Sequence, residues 1–524
     1  MPVASREFVL HDSAGAGADV LGTVTSVVSD SIAWANGGPV ARCRRTWLDT
    51  FDWRLYRAGL TLEQMTAPAG VNLTLTGRDG AVLASERLQP GSVTWPSLPT
   101  ALPAGPLREL LEPVAGVRAL SPVARAASRV AELRALNADA KTIARLAVDQ
   151  MSVTFPVRAV APARLILSPV RGYQIQTEKA ARALAGVPGI AAGRGSALET
   201  ALAAAGSCPG ELVGKASAIA FSPVMPARTA MAAILTSLLD SLEANVPGTV
   251  KDIDTEFLHD LRIAVRWSRS ALKLCGSALP DGMAERFAPD FRWLGDLTTP
   301  TRDLDVYLLG FDDMAAALVG ATEIELAPFR DYLLKSRAIA HRQLVRGLRS
   351  ARFRRLTADW RAALGDVRAT RKRPTVAQLA DTRIAMAHRR ALRAGEHLTA
   401  SSPSESLHDL RKRCKELRYV VEMFGSLHDP AQRWQAIREL KALQDCLGEF
   451  QDAEVQREEI RAFAAHMLAE HTAPAETLLA MGEIAAGLAV RQRAARARFD
   501  RAFANFASPA SQARIAGLAR TSAA

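Results

Sequence analysis

Two patterns of apolar and polar residues divide the chain. Over residues 1–225 they alternate in short runs interrupted by Pro and Gly, which predicts antiparallel strands. VNLTLTGRDGAVLASERL (71–88) reads as a hairpin turning at Gly77-Arg78-Asp79-Gly80. RVAELRALNADAKTIARLAVDQMSV (129–153) reads as a second strand pair around Asn137-Ala138-Asp139, and a helix is expected at Thr177–Ala185. From 229 to 505 apolar residues recur every three or four positions, which is the period of buried helix faces. Breaks are expected near Pro247-Gly248, Leu279–Gly282, Thr298–Thr301, Gly365–Pro374, Ser401–Pro403, His428–Pro430 and His471–Pro474. They predict about eight helices in two antiparallel four-helix bundles joined near 365–375. The expected organisation is an α+β domain over 1–222, a linker over 223–228, and a helical domain over 229–508. The helical repeats fall at about 229–365 and 375–505, and 509–524 is expected as a tail.

Composition narrows the class. Of 524 residues 48% are apolar and 23% charged, which suits packed domains rather than a disordered chain. No run of about 18 apolar residues exists, so no membrane-spanning helix is expected. The opening MPVASREFVLHD lacks a basic then apolar leader. Five cysteines lie scattered without metal-ligand spacing, which points to a reducing cytoplasm and against a structural zinc; no metal or cofactor is expected. The net charge of +12 calls for an acidic partner: nucleic acid, polyphosphate or a membrane surface. Residues 1–225 hold 22 Lys and Arg against 17 Asp and Glu, the remainder 44 against 37, so charge alone selects no ligand.

An internal repeat does more. FLHDLRIAVRWSRSALKL (257–274) matches SLHDLRKRCKELRYVVEM (406–423), with His408 falling 149 positions after His259. The same offset, without a gap, pairs Arg262 with Arg411, Arg266 with Lys415, Arg269 with Arg418, Arg302 with Gln451, Asp303 with Asp452 and Arg342 with Arg491. His259, Arg262, Arg266, Arg269 and Lys273 step by three and four, as do His408, Arg411, Lys415 and Arg418. Each set therefore lines one helix face, the first over about 21 Å and the second over about 15 Å, beside an apolar stripe that packs inward. Like charges at that spacing repel by a few tenths of a kcal/mol per pair. A linear chain of phosphates would relieve that repulsion, because Arg forks match pairs of phosphate oxygens and Lys acts as a point charge. His341 and Arg342 in the first repeat, with Arg491 in the second, are further candidate contacts. A single basic stripe is usually just solvated; duplication in register weighs against that reading. Arg302-Asp303-x-Asp305 and Gln451-Asp452-x-Glu454 are expected to orient the arginines rather than to act as acids or bases.

The doubled LHDLR blocks, RYVVEMF (418–424) and TRDLDVYL (301–308) resemble the CHAD domain over about 229–505. The resemblance implies two four-helix bundles related by a pseudo-twofold, with inorganic polyphosphate bound along a basic groove. It assigns that groove to His259, Arg262, Arg266, Arg269, His408, Arg411, Lys415 and Arg418, and suggests association with polyphosphate granules. TWLDTFDWRLYRAGLTLEQ (46–64), SPVARAASRVAEL (121–133) and PVRGYQ (169–174) are similar to CYTH domains. That family folds as an antiparallel β-tunnel that binds triphosphates through Arg and Lys and holds metal through glutamates. Here Glu7 stands alone in SREFVLHD, Glu63 and Gln64 occupy usually basic positions, and Thr76 falls where a lysine is expected. A degenerate, non-catalytic CYTH-like domain is the expectation. The alternatives are a metal-dependent triphosphatase or polyphosphate hydrolase acting through residues 1–222, and nucleic-acid binding by the basic helices, which the expectation that stacking aromatics do not interleave the cations weighs against.

Overall fold

The computed structural model describes residues 6–11, 33–193, 195–211, 219–367, 374–399 and 401–520. They form two compact units, residues 1–212 and 213–524.

The first unit is built on one antiparallel sheet of eleven strands: β1 (Arg6–Leu10), β2 (Ala33–Asn36), β3 (Ala41–Thr50), β4 (Leu60–Ala67), β5 (Gly70–Gly77), β6 (Val82–Leu88), β7 (Leu120–Leu136), β8 (Thr142–Phe155), β9 (Ala159–Val160), β10 (Ala163–Pro169) and β11 (Ile190–Ala192). Its hydrogen-bonded order is β11-β1-β10-β8-β7-β3-β4-β5-β6, with β2 on β7 and β9 on β8. Both expected hairpins form, β5–β6 with Val71 opposite Leu88 and β7–β8 with Val130 opposite Asp149. Among the described residues four α-helices accompany the sheet: α1 (Arg54–Arg57), α2 (Pro106–Ala115), α3 (Gln174–Ala185) and α4 (Ala197–Ala204). Ser196 and Glu199 close a capping box on α4.

The second unit is all helical. Eight helices of 20 residues or more carry the repeats: α5 (Ala227–Lys251), α6 (Thr255–Cys275), α7 (Met283–Leu309) and α9 (Glu323–Leu348), then α11 (Val376–Glu396), α12 (Ser404–Met423), α13 (Pro430–Ala469) and α14 (Ala475–Phe506). Three shorter ones are α8 (Phe311–Ala316), α10 (Ala351–Gly365) and α15 (Pro509–Leu518). Two expected breaks are continuous helix: α5 runs through Pro247 and α7 through Pro300. Each proline forfeits one backbone bond, but the flanking turns bury Leu242, Gly248 and Thr249 in α5 and Leu294, Thr298 and Leu304 in α7. Thr298 and Thr299 also return their hydroxyls to the carbonyls of Leu294 and Gly295.

Segments expected as connector and tail are both packed. Phe221 is buried in the helical core, and the backbone of 223–227 bonds to residues 374–377. Pro509–Leu518 form a helix because Ile515 and Leu518 complete the core beside α11 and α13. The repeats share that core, since Leu261 and Leu272 lie in one cluster with Leu410, Leu417 and Phe450. A second cluster joins Leu304 and Phe329 to Ile460 and Leu488. At their junction Tyr307 donates its hydroxyl to Glu459 at 2.7 Å and lies 3.4 Å from the carbonyl of Gln456, its own counterpart at the repeat offset.

Candidate functional site

The site begins with the helix that carries the first stripe. Asp254 caps α6 by accepting the N–H groups of Glu256 and Phe257 at 2.9 and 3.2 Å, and Leu258, Leu261, Val265 and Leu272 bury the inner face. The cations are left on the flank that faces α7. Arg262 reaches α7 and donates to the hydroxyls of Thr299 at 2.8 Å and Thr298 at 3.1 Å. The Arg269 guanidinium passes directly over Gly295, where any Cβ would lie 2.6 Å from its Nη1.

The second stripe repeats these contacts position for position. Arg411 lies over Gly448, the counterpart of Thr299, and donates to Asp452 at 2.9 Å. Arg418 donates to Gln444, the counterpart of Gly295, at 3.0 Å. His408 Nδ1 lies 2.9 Å from Gln451 Oε1, where the first repeat sets Arg302 against His259. The duplication thus extends from sequence to cross-helix partners. Thr299, Gln444 and Gly448 were not singled out as site residues, yet the offset that aligned the stripes also aligns them.

The stripes meet rather than diverge. Helices α6 and α12 pack together, and the Arg266 guanidinium sits 5.9 Å from the centre of the Tyr419 ring, which itself lies 5.4 Å from Trp267; contrary to expectation, aromatics do stand among the cations where the helices meet. Burial, and then the positive charges of Arg411, Arg266 and Arg418, hold Lys415 down to about 8. Arg262 is likewise depressed, first by burial and then by Arg266, Arg302 and Arg269, with Asp303 the main opposing charge. His259 is lowered by burial and by Arg302, which favour its neutral form. Arg302 has a buried Nη1 with no hydrogen-bond partner. These are the marks of a field with too few anions.

Not every candidate shares that field equally. Lys273 is bound by Glu416 at 2.6 Å, and Arg418 by Glu422 at 3.2 Å. His341 donates from Nε2 to the carbonyl of Thr249 at 2.9 Å, at the end of α5. Arg342 and Arg491 are exposed on α9 and α14. Asp305, almost fully buried, holds Arg337 at 2.5 Å together with Asp252, so this acid positions an arginine as its motif implied.

In the first unit the segment resembling CYTH domains has a structural role. Asp49 accepts the N–H groups of Thr50, Leu55 and Tyr56, and burial pushes it up to about 6. A cavity of about 820 Å³ lies between β1 and the β5–β6 turn, lined by residues that include Arg6, Glu7, Arg78, Glu178 and Glu199. Some of its charges are engaged: Arg6 pairs with Glu178 at 3.2 Å, and Glu7 with Arg164 at 2.6 Å, while Arg78, Asp79 and Arg182 also line it. Arg45 is clamped between Glu63 at 2.5 Å and Asp149 at 2.6 Å. Glu7, Glu63 and Asp149, so engaged, do not fit a divalent metal, and Arg45, so engaged, offers little charge to a triphosphate.

A family model described as the CHAD domain matches residues 233–461, a span that contains every candidate cation except Arg491. Among solved structures the chain is similar to the CHAD domain from the plant Ricinus communis, at 22% identity over 55% of this chain and 95% of that one, with a TM-score of 0.46. It is also similar to PptA from Streptomyces chartreusis, at 18% identity over 53% and 99%, with a TM-score of 0.40. A Bacillus halodurans structure whose description proposes an adenylate cyclase matches at 11% identity over 37% and 92%, with a TM-score of 0.26. No curated protein matches the chain.

Proposed function

From the premise that this chain carries a CHAD domain at residues 233–461, we propose that its helical unit binds inorganic polyphosphate, without catalysis. The polymer lies across α6 and α12, touching Arg262, Arg266 and Arg269 from one repeat and Arg411, Lys415 and Arg418 from the other. One observation carries the reading: Arg266, Arg411 and Arg418 all bear on Lys415, so cations from both repeats crowd one region with too few carboxylates to balance them. A flexible polyanion with a charge every few ångströms supplies the missing anions in a row, and bound phosphate favours the charged forms of His259 and Lys415. The exposed Arg342 and Arg491 extend the track, whereas Lys273 contributes little while Glu416 holds it.

The same chemistry supports association with polyphosphate granules. Among the described residues no helix is long and apolar enough to cross a membrane. The engaged carboxylates and arginines of the first unit favour a supporting role over triphosphate hydrolysis.

The test is a titration of the full chain with long-chain polyphosphate at several salt concentrations. With five or more cations engaged, log affinity falls against log salt with a slope of about −4 or steeper. Duplex and single-stranded DNA of matched total charge compete weakly. Absence of binding near physiological salt, or equal competition by DNA, removes the reading.

A further inference from the structure

We propose that Lys415 is a modification site, acylated without an enzyme by small acyl phosphates that the groove concentrates. The inference rests on reading the groove as an anion site, and it names a way of regulating that site.

Lysine is rare in this protein. There are ten in the chain, and only Lys273 and Lys415 stand in the two stripes. Lys415 occupies the position that Arg266 holds in the first repeat, so the duplicated ladder offers an amine where its copy offers a guanidinium that does not react. The two lysines differ in state. Lys273 is held by Glu416 at 2.6 Å, while Lys415 has neither ion pair nor hydrogen bond among the described residues. Lys412, one turn away, is exposed and paired with Asp409 at 3.2 Å.

The surroundings of Lys415 supply both halves of the reaction. Arg411 and Arg418 lie one turn to either side on α12, and Arg266 faces it from α6. Asp452, the acid that acts most on it, is already bonded to Arg411, and Glu422 to Arg418, which leaves Arg266 as the guanidinium of the three without an ion pair among the described residues. The three guanidinium groups attract the dianionic phosphate of an acyl phosphate and place its carbonyl beside the amine. The same charges, with burial, leave more of the amine unprotonated at neutral pH than in an ordinary lysine. The nitrogen lone pair attacks the carbonyl carbon, a C–N amide bond forms, and the C–O bond to phosphate breaks. Phosphate leaves with the electron pair, and the proton shed by nitrogen passes to phosphate or water. No oxidant or reductant is needed. The product is an uncharged amide at the junction of the stripes, so acylation weakens polyanion binding.

The experiment incubates the full chain with acetyl phosphate near neutral pH and follows occupancy at each lysine by peptide mass spectrometry. Lys415 is expected to acetylate about tenfold faster than Lys412, the gain in free amine being partly offset by lower basicity. The uncharged N-hydroxysuccinimide ester of acetate should show a severalfold smaller preference, and Arg411→Gln with Arg418→Gln should slow the acetyl phosphate reaction at Lys415. Equal rates at Lys415 and Lys412, or the same preference with the uncharged reagent, would overturn the assignment. A chain that acetylates selectively at Lys415 but fails to bind polyphosphate keeps this assignment and loses the proposed function. One that binds polyphosphate yet acetylates evenly does the reverse.

Discussion

Replacing Arg266 and Lys415 together by Gln removes one cation from each repeat where α6 and α12 pack. Two unit charges 4 Å apart attract by about 1 kcal/mol in water and about 4 kcal/mol at the effective dielectric of a protein surface. Arg266 is exposed and belongs near the lower figure; Lys415 is half-buried and belongs between them. The pair together contributes about 3 kcal/mol, so the dissociation constant for long-chain polyphosphate should rise about 100-fold. The salt slope should become shallower by about 1.5, as two fewer counterions are displaced. Titrations monitored by fluorescence anisotropy at two salt concentrations measure both quantities. Lys273→Gln serves as the comparison. Its ammonium is matched by Glu416, which keeps Arg413 at 3.3 Å when Lys273 is gone, so affinity should change only about twofold. If the double variant binds within about threefold of the parent, or Lys273→Gln is equally damaging, the convergence of the stripes is not what holds the polymer.

Further expectations rest on single residues. Lys415→Met should stabilise the free protein: burial and neighbouring arginines hold the folded amine down to about 8, so its charged form strains the fold below that pH and the strain fades as pH rises. After allowance for screening the gain is about 1 kcal/mol, seen as a higher urea midpoint at pH 7 that disappears above about pH 10. Polyphosphate binding near pH 8 should take up about half a proton, read by calorimetry in buffers of different ionisation enthalpy, and Lys415→Met should abolish most of that uptake. Arg337→Ala strands the buried carboxylate of Asp305 and should cost about 3–5 kcal/mol in urea unfolding. With Mg²⁺ or Mn²⁺ the full chain should release no more phosphate from tripolyphosphate than a protein-free control, since Glu63, Asp149 and Glu7 are held by arginines.

How much of this was legible in the sequence depends on the range of the interaction. Period two in 71–88 and 129–153 located both hairpins, and period 3.6 after residue 229 located the eight long helices, because each pattern reflects one buried face. The repeat located the stripes, and its offset holds even for the contacts of Arg262 with Thr299 and Arg411 with Gly448. Prolines misled at Pro247 and Pro300, where buried neighbours outweigh one lost backbone bond. The end of the chain read as a tail because its apolar residues are few, yet Ile515 and Leu518 fill a core laid down by distant helices. The partners that neutralise charge were invisible for the same reason. Glu416 lies 143 positions from Lys273, and Asp149 lies 104 from Arg45. No local pattern marks pairs that only the fold brings together.

The most direct measurement is the number of polyphosphate chains bound when one stripe is erased at a time. A shared groove predicts one site per protein, with Arg262→Gln, Arg266→Gln and Arg269→Gln together weakening it about as much as Arg411→Gln, Lys415→Gln and Arg418→Gln together. Two independent sites, each lost with its own stripe while the other keeps full affinity, would contradict it.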